Sequence, residues 1–239
     1  VNHTAGTLLG GRLRYHQPDS GYRTGLEPVL LAASIPARAG DAVLEAGCGA
    51  GAGLLCLAAR VPGITGTGVE RDPALADLAA ENFIANGFAT VRAIAGDITV
   101  WRADAPFDHA FANPPWHEAD STASPSPARR AAKQAAPGLL AAWVAAMARA
   151  LRPRGTLSLI LPAACLTEAL MALAAAKCRG TTLLPLWPAQ GKSAKLLILR
   201  SIRLGNGPDR VVPGLTLHDA ESLTPAAEAI LRHAAPLGS

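Results

Sequence analysis

Residues 43–51 read VLEAGCGAG. An apolar run reaches an acid and then meets glycine at 47, 49 and 51. Glycines in that pattern let a strand turn tightly and let backbone approach a ligand with no side chain in the way. The apolar spacing predicts a helix over 52–60, closed by Pro62-Gly63. The unit then repeats. Strands are expected at 41–46, 64–70, 90–95, 107–112 and 155–161, with helices at 73–86, 138–151 and 166–177 between them, and further strands near 181–187 and 195–202. A helix opened by Pro28 is expected over 27–35. Alternation of this kind implies an α/β fold, a doubly wound, mostly parallel sheet covered on both faces. In such sheets ligands bind beyond the carboxyl ends of the strands.

The 239 residues suit a single domain over 1–239, and half of them are hydrophobic, enough for a sizeable core. A small extension occupies 1–26, with a polar hairpin over 5–16. The stretch 117–137, HEADSTASPSPARRAAKQAAP, is rich in Ser, Pro and Ala and is expected to be a mobile substrate loop. The formal charge of +4 leans toward an anionic partner. Cys48, Cys56, Cys165 and Cys178 form no CxxC pair, and the histidines do not cluster with other ligands, so reduced thiols and no metal site are expected. The opening VNHTAGTLLGGRLRYHQ lacks a signal-peptide pattern, and no apolar run is long enough to span a membrane. A cytoplasmic protein is the expectation.

Three acids follow strand ends. Glu45 precedes the glycines, Glu70 closes the second strand, and Asp97 follows the third. Glu70 is placed to grip the two hydroxyls of a ribose, and Asp97 to accept from an adenine amino group. The pattern Gly47-x-Gly49-x-x-Ala52 also fits a dinucleotide fingerprint. An acid at 45 would repel a pyrophosphate but suits the ammonium and sulfonium of S-adenosylmethionine. The chain also lacks a second domain for a hydride acceptor.

The fourth strand ends in FANPPWHE, 111–118. Two prolines stop the ladder and hold Asn113 extended. Asn113 Oδ1 and the carbonyl of Pro114 can accept the two N–H bonds of a flat amine and turn its lone pair toward a methyl donor. Trp116 offers a stacking face beside Pro115 for an extruded base.

E-x-G-x-G-x-G, then Glu70, then Gly96-Asp97, then NPPW resembles the class I S-adenosylmethionine-dependent methyltransferases, across residues 41–161. The resemblance implies a Rossmann-like sheet of seven strands in the order 3-2-1-4-5-7-6, the seventh antiparallel. GYRTGLEPVLL (21–31) and TPAAEAILR (224–232) extend the likeness to the tRNA(Val) adenine-N6 methyltransferase family, which acts on the adenosine beside the anticodon. It implies that Thr24 and Gly25 join Glu45, Gly47, Gly49, Gly51, Glu70, Asp97 and Asn113 around the cofactor. Arg129, Arg130 and Lys133 lie at spacings that one helix face would bring together, where they would meet tRNA phosphates. Two alternatives stand beside this reading. One is a protein glutamine-N5 methyltransferase, which uses the same amide clamp. The other is a non-catalytic RNA-binding factor that retains the cofactor pocket.

Overall fold

The computed structural model describes residues 3–19, 24–115, 137–220 and 222–238. A hairpin comes first, β1 (His3–Leu8) and β2 (Leu13–Pro18), followed by α1 (Glu27–Ser34). The central alternation is β3 (Ala42–Ala46), α2 (Ala52–Arg60), β4 (Thr65–Glu70), α3 (Pro73–Ala85), β5 (Val91–Ala95) and β6 (Phe107–Ala112). Then come α4 (Leu139–Ala150), β7 (Leu151–Pro162), α5 (Leu166–Ala175), β8 (Cys178–Ala189) and β9 (Leu196–Arg203). The chain closes with β10 (Arg210–Val211), β11 (Leu215–Asp219), β12 (Ser222–Leu223) and α6 (Pro225–His233).

The strands β3 to β9 lie in the order β5-β4-β3-β6-β7-β9-β8, with β9 antiparallel to both neighbours. This is the order expected for the seven. Beyond β8 this sheet continues through β11 to β12, with β10 also paired to β8, which makes ten strands among the described residues; the hairpin β1-β2 is separate from it. β10 and β12 have two residues each, too short for any alternation to mark them. β7 also starts four residues earlier than expected. The expected strand began at Gly155, but residues 151–154 extend it past an irregular register with β6.

Helix ends follow local chemistry. Asp72 accepts from the Ala74 N–H ahead of Pro73, and Thr224 accepts from the Ala227 N–H ahead of Pro225. One face of the sheet is covered by α1, α2 and α3 through Leu30, Leu31, Leu54, Leu57 and Phe83. The other is covered by α4 and α5 through Val144, Met147 and Leu173 against Leu44, Leu157 and Leu159. Each such side chain contributes about 1.5–3 kcal/mol by leaving water. At the amino ends of the strands, buried His109 joins Thr156 (2.7 Å) to Asp41 (3.1 Å), and Asp108 pairs with Arg152 (2.6 Å). These contacts tie the starts of β3, β6 and β7 together. No helix among the described residues is long and apolar enough to cross a membrane.

The hairpin docks on α3 by an unusual device. Asn82 accepts from the His16 N–H (2.8 Å) and donates to the His16 carbonyl (2.8 Å). One turn later, Asn86 does the same for Arg14, at 2.9 and 2.8 Å. Residues i and i+4 of a helix are separated by about 6.0 Å along its axis, and residues i and i+2 of a strand by about 6.8 Å. Two amides on α3 therefore stand in for a neighbouring strand and satisfy the outer edge of β2. Asn82 also donates to the carbonyl of Ala50 (2.9 Å), which ties the hairpin to the glycine turn.

Asn82 is 1% exposed, so Asn82→Ala strands three buried backbone groups and should lower stability by about 2–3 kcal/mol in urea unfolding. Asn86→Ala, nearer solvent, should cost about 1 kcal/mol. An unchanged midpoint for Asn82→Ala would refute the docking role.

Candidate active site

Register assembles the site. Ala46 pairs with Val69 of β4 on one side and with Ala112 of β6 on the other. The residues that follow, Gly47, Glu70 and Asn113, leave three adjacent strands at one level. Neighbouring strands lie about 4.8 Å apart. Glu70 in turn pairs with Ala95, so Asp97 rises just beyond it on β5.

The glycine turn is held from below and open above. The Gly47 N–H donates to the Val69 carbonyl (2.8 Å), and the Gly49 N–H to Glu70 Oε2 (2.9 Å). Gly47 has φ +66°, and a Cβ there would collide with the Trp143 ring. At Gly49, φ +53°, a Cβ would meet nothing within 4 Å. Among the described residues that side of the turn is uncovered, a backbone surface against which a ligand can lie. Gly51, also at positive φ, precedes α2.

Glu70 is half-buried and bridges the turn to α3, since its Oε1 accepts from the Asp72 N–H (2.9 Å). A carboxylate has about four lone-pair sites, so two N–H donors leave room for the hydroxyls of a ribose. Asp97 is exposed. Its Oδ1 accepts from the Thr99 hydroxyl (2.7 Å) and N–H (2.8 Å), and these bonds hold its carboxyl below the usual range. Cys48, inside the turn, is buried, and burial pushes its thiol well up, so it is not a thiolate nucleophile.

Glu45 lies elsewhere than its strand-end position suggests. Its side chain shares a face with Val43 and is 6% exposed. Oε2 accepts from the Leu54 N–H (2.9 Å), so the acid caps the first turn of α2, where Gly51 has no side chain to do so. Glycine at 53 leaves room for the carboxyl: a Cβ there would come against Glu45 Oε1 and force it to shift. Burial outweighs the hydrogen bond, and with a smaller push from the Glu70 charge it raises the Glu45 carboxyl to about 8.

Asn113 is half-buried, Pro114 buried and Pro115 half-buried at the end of β6. Trp116, Arg129, Arg130, Lys133 and the loop 117–136 lie outside the described residues. Thr24 is fixed by Tyr15, whose hydroxyl lies 2.6 Å from Thr24 Oγ1, and by Gln17, which accepts the Thr24 N–H at 3.1 Å. Gly25 lies against the Glu27 carboxylate, and Glu27 Oε2 is buried with no hydrogen-bond partner among the described residues. Glu27 escaped the reading of the sequence because an acid next to Pro28 looks like an ordinary first-turn residue. A buried oxygen with no donor costs about 1–3 kcal/mol or more, and a cationic ligand group would relieve it.

The family model described as methyltransferase small domain matches residues 27–180. Two curated relatives are tRNA1(Val) (adenine(37)-N6)-methyltransferases. That of Flavobacteriaceae bacterium (strain 3519-10) is 32% identical over 110 residues, 46% of this chain and 48% of the relative. That of Actinobacillus succinogenes is 34% identical over 145 residues, 59% of this chain and 61% of the relative. The matched stretches thus span about half to three fifths of the relatives' lengths. Among solved structures, one described as a predicted O-methyltransferase from Agrobacterium tumefaciens superposes with a TM-score of 0.73 at 22% identity. It covers 88% of this chain and 97% of that one. A precorrin-6y C5,15-methyltransferase from Geobacter metallireducens superposes at 0.54 with 12% identity, over 78% and 93% of the two chains. These superpositions bear on the fold.

The buried acid has a pH signature. Glu45 moves from the usual 4.5 to about 8 on folding, so between those values the folded chain holds a proton that the unfolded chain has lost. Its contribution is complete below the lower value and is lost as pH rises through the upper one, at roughly 1.4 kcal/mol per pH unit. Glu45→Gln keeps an acceptor for Leu54 without the charge. Urea unfolding should show it gaining on the wild type steadily from pH 5 to pH 8. A stability difference that does not change with pH would contradict the assignment.

Proposed function

This chain belongs to the methyltransferase small domain family, and we propose that it transfers a methyl group from S-adenosylmethionine to the exocyclic N6 of an adenosine near the anticodon of a tRNA. The observation that carries this reading is the level row of Gly47, Glu70 and Asn113 on three adjacent strands. It sets a nucleoside-binding turn beside an amide at a strand end. The names of the two curated relatives support the choice of acceptor. A tRNA substrate places the work in the cytoplasm.

The residues present suit such a donor. Gly49 offers open backbone and Glu70 has spare acceptor capacity for the ribose. Asp97 lies one strand further, for the adenine amino group. Glu27 supplies a desolvated anion for the donor's ammonium, and Thr24 and Gly25 hold that anion's surroundings. Tyr15, His16 and Asn82 link this segment to Ala50 through the hairpin, so the two sides of the pocket are mechanically joined. Glu45 acts from beneath. It shapes the first turn of α2 by accepting from the Leu54 N–H.

When bound, the donor supplies a methyl on a sulfonium: the new N–C bond forms as the S–C bond breaks and a neutral thioether leaves. Asn113 Oδ1 and the Pro114 carbonyl accept the two N–H bonds of the amine and draw its lone pair out of conjugation. The extra proton on nitrogen then passes to water. Trp116, beside Pro115, stacks on the base, and Arg129, Arg130 and Lys133 meet phosphates. Positioning supplies most of the acceleration.

Incubation with total tRNA and labelled S-adenosylmethionine should yield labelled N6-methyladenosine by nucleoside mass spectrometry. Label in protein instead would favour glutamine methylation, and none in either would overturn the reading. Asn113→Ala should lower kcat by about 10²–10³-fold and leave donor affinity nearly unchanged in calorimetry. Glu27→Gln should weaken donor binding about tenfold, the loss of one charge-assisted contact, with no fall in melting temperature. Wild-type affinity would remove the Glu27 assignment.

A further inference from the structure

The rim that carries Asn113 continues across β7, β9, β8 and β11. Ala112 pairs with Leu159, and three residues further along β7 Pro162 pairs with Leu196. Leu196 pairs with Leu186, and Trp187 with Thr216. Trp187 therefore stands on the same rim, three strand spacings or about 14 Å across from β6. There the turn 190–195 and β11 border an open, shallow cleft of about 460 Å³ lined by Trp187, Gln190, Lys192, Ser193 and Thr216. The volume falls within the roughly 300–1,000 Å³ of small-molecule sites.

We propose that this cleft holds a nucleotide neighbouring the target adenosine on the same RNA strand, its base on the Trp187 ring and its phosphate at Lys192. The inference rests on the reading of the chain as a tRNA methyltransferase and adds a second point of contact to it. Trp187 is half-buried, and its indole N–H donates to the Pro213 carbonyl (3.0 Å). The ring's one polar group is thus satisfied and its orientation set, which leaves a flat apolar surface that any base can stack on.

Charge supplies the second argument. Lys192 is exposed at the tip of the turn, next to Gly191 at φ +72°. Lys195 is exposed too, and its carbonyl accepts from the Ala163 N–H (2.9 Å), which anchors it at the end of β7. Among the described residues neither ammonium has an acidic partner within ion-pair distance. Lys195 therefore marks the rim between Asn113 and Trp187, and Lys192 the cleft itself, along which a phosphate backbone would run. Aromatic ring and unneutralised lysine together are the pairing by which single-stranded RNA is held.

The test uses the whole chain, total deacylated tRNA and three variants. Lys192→Glu should weaken tRNA binding about tenfold and flatten the dependence of log K on log salt by roughly one ion's worth, a slope change of about 0.7. Trp187→Leu should weaken it about tenfold, and Trp187→Phe, which restores a ring, should recover most of the loss. Donor affinity should be the same in all three by calorimetry. Wild-type tRNA affinity and KM in Lys192→Glu and Trp187→Leu, in a chain that still methylates tRNA, would overturn the cleft assignment alone. Equal weakening by Trp187→Leu and Trp187→Phe would overturn the stacking role. A wild-type chain that neither binds nor labels tRNA would overturn this inference together with the reading beneath it.

Discussion

Pairing register is the constraint on which everything else depends. In a parallel sheet a slip by one residue reverses every side chain, and here it would also push one strand end past its neighbours. Because Ala46, Val69 and Ala112 lie in one row, the turn at 47, the acid at 70 and the amide at 113 emerge together. No long-range loop has to fold correctly to bring them into reach. Buried apolar side chains on both faces hold the register, so the hydrophobic core and the geometry of the site are one problem solved once.

Around that row, backbone groups are satisfied by side chains borrowed from other elements. Glu45, on a strand, caps a helix. Glu70, at a strand end, fixes both the turn and the start of α3. Asn82 and Asn86, on a helix, complete a strand edge. Each bond is worth only about 1 kcal/mol net, but together they tie the strand ends, the glycine turn, the helix starts and the hairpin to one another. The functional residues gather at the carboxyl rim, while at the opposite rim the His109 and Asp108 contacts tie strand starts together.

Much of this was legible in the residues. Alternating apolar runs, the glycines at 47, 49 and 51, and paired prolines at 114 and 115 are local signals, and they located the strands and their working ends. The resemblance supplied the strand order. What the residues hid were facts of packing. Glu45 reads as a ligand-facing acid until Gly53 is seen to make room for it beneath α2. Asn86, before Gly87, reads as a helix stop, and only the two-residue pitch of β2 reveals its second use. Glu27 looks like a routine first-turn acid, since nothing in a string of letters shows that an oxygen is buried without a donor. β10 and β12 are too short to announce themselves at all.

The fit between Glu45 and Gly53 sets one local preference against another. A helix gains roughly 1 kcal/mol when alanine replaces an interior glycine, yet here the added methyl would come against the Glu45 carboxyl and the Phe111 ring. The carboxyl would have to shift away from the Leu54 N–H that it caps, so the helix keeps a weak former at the point where a strand side chain completes its first turn.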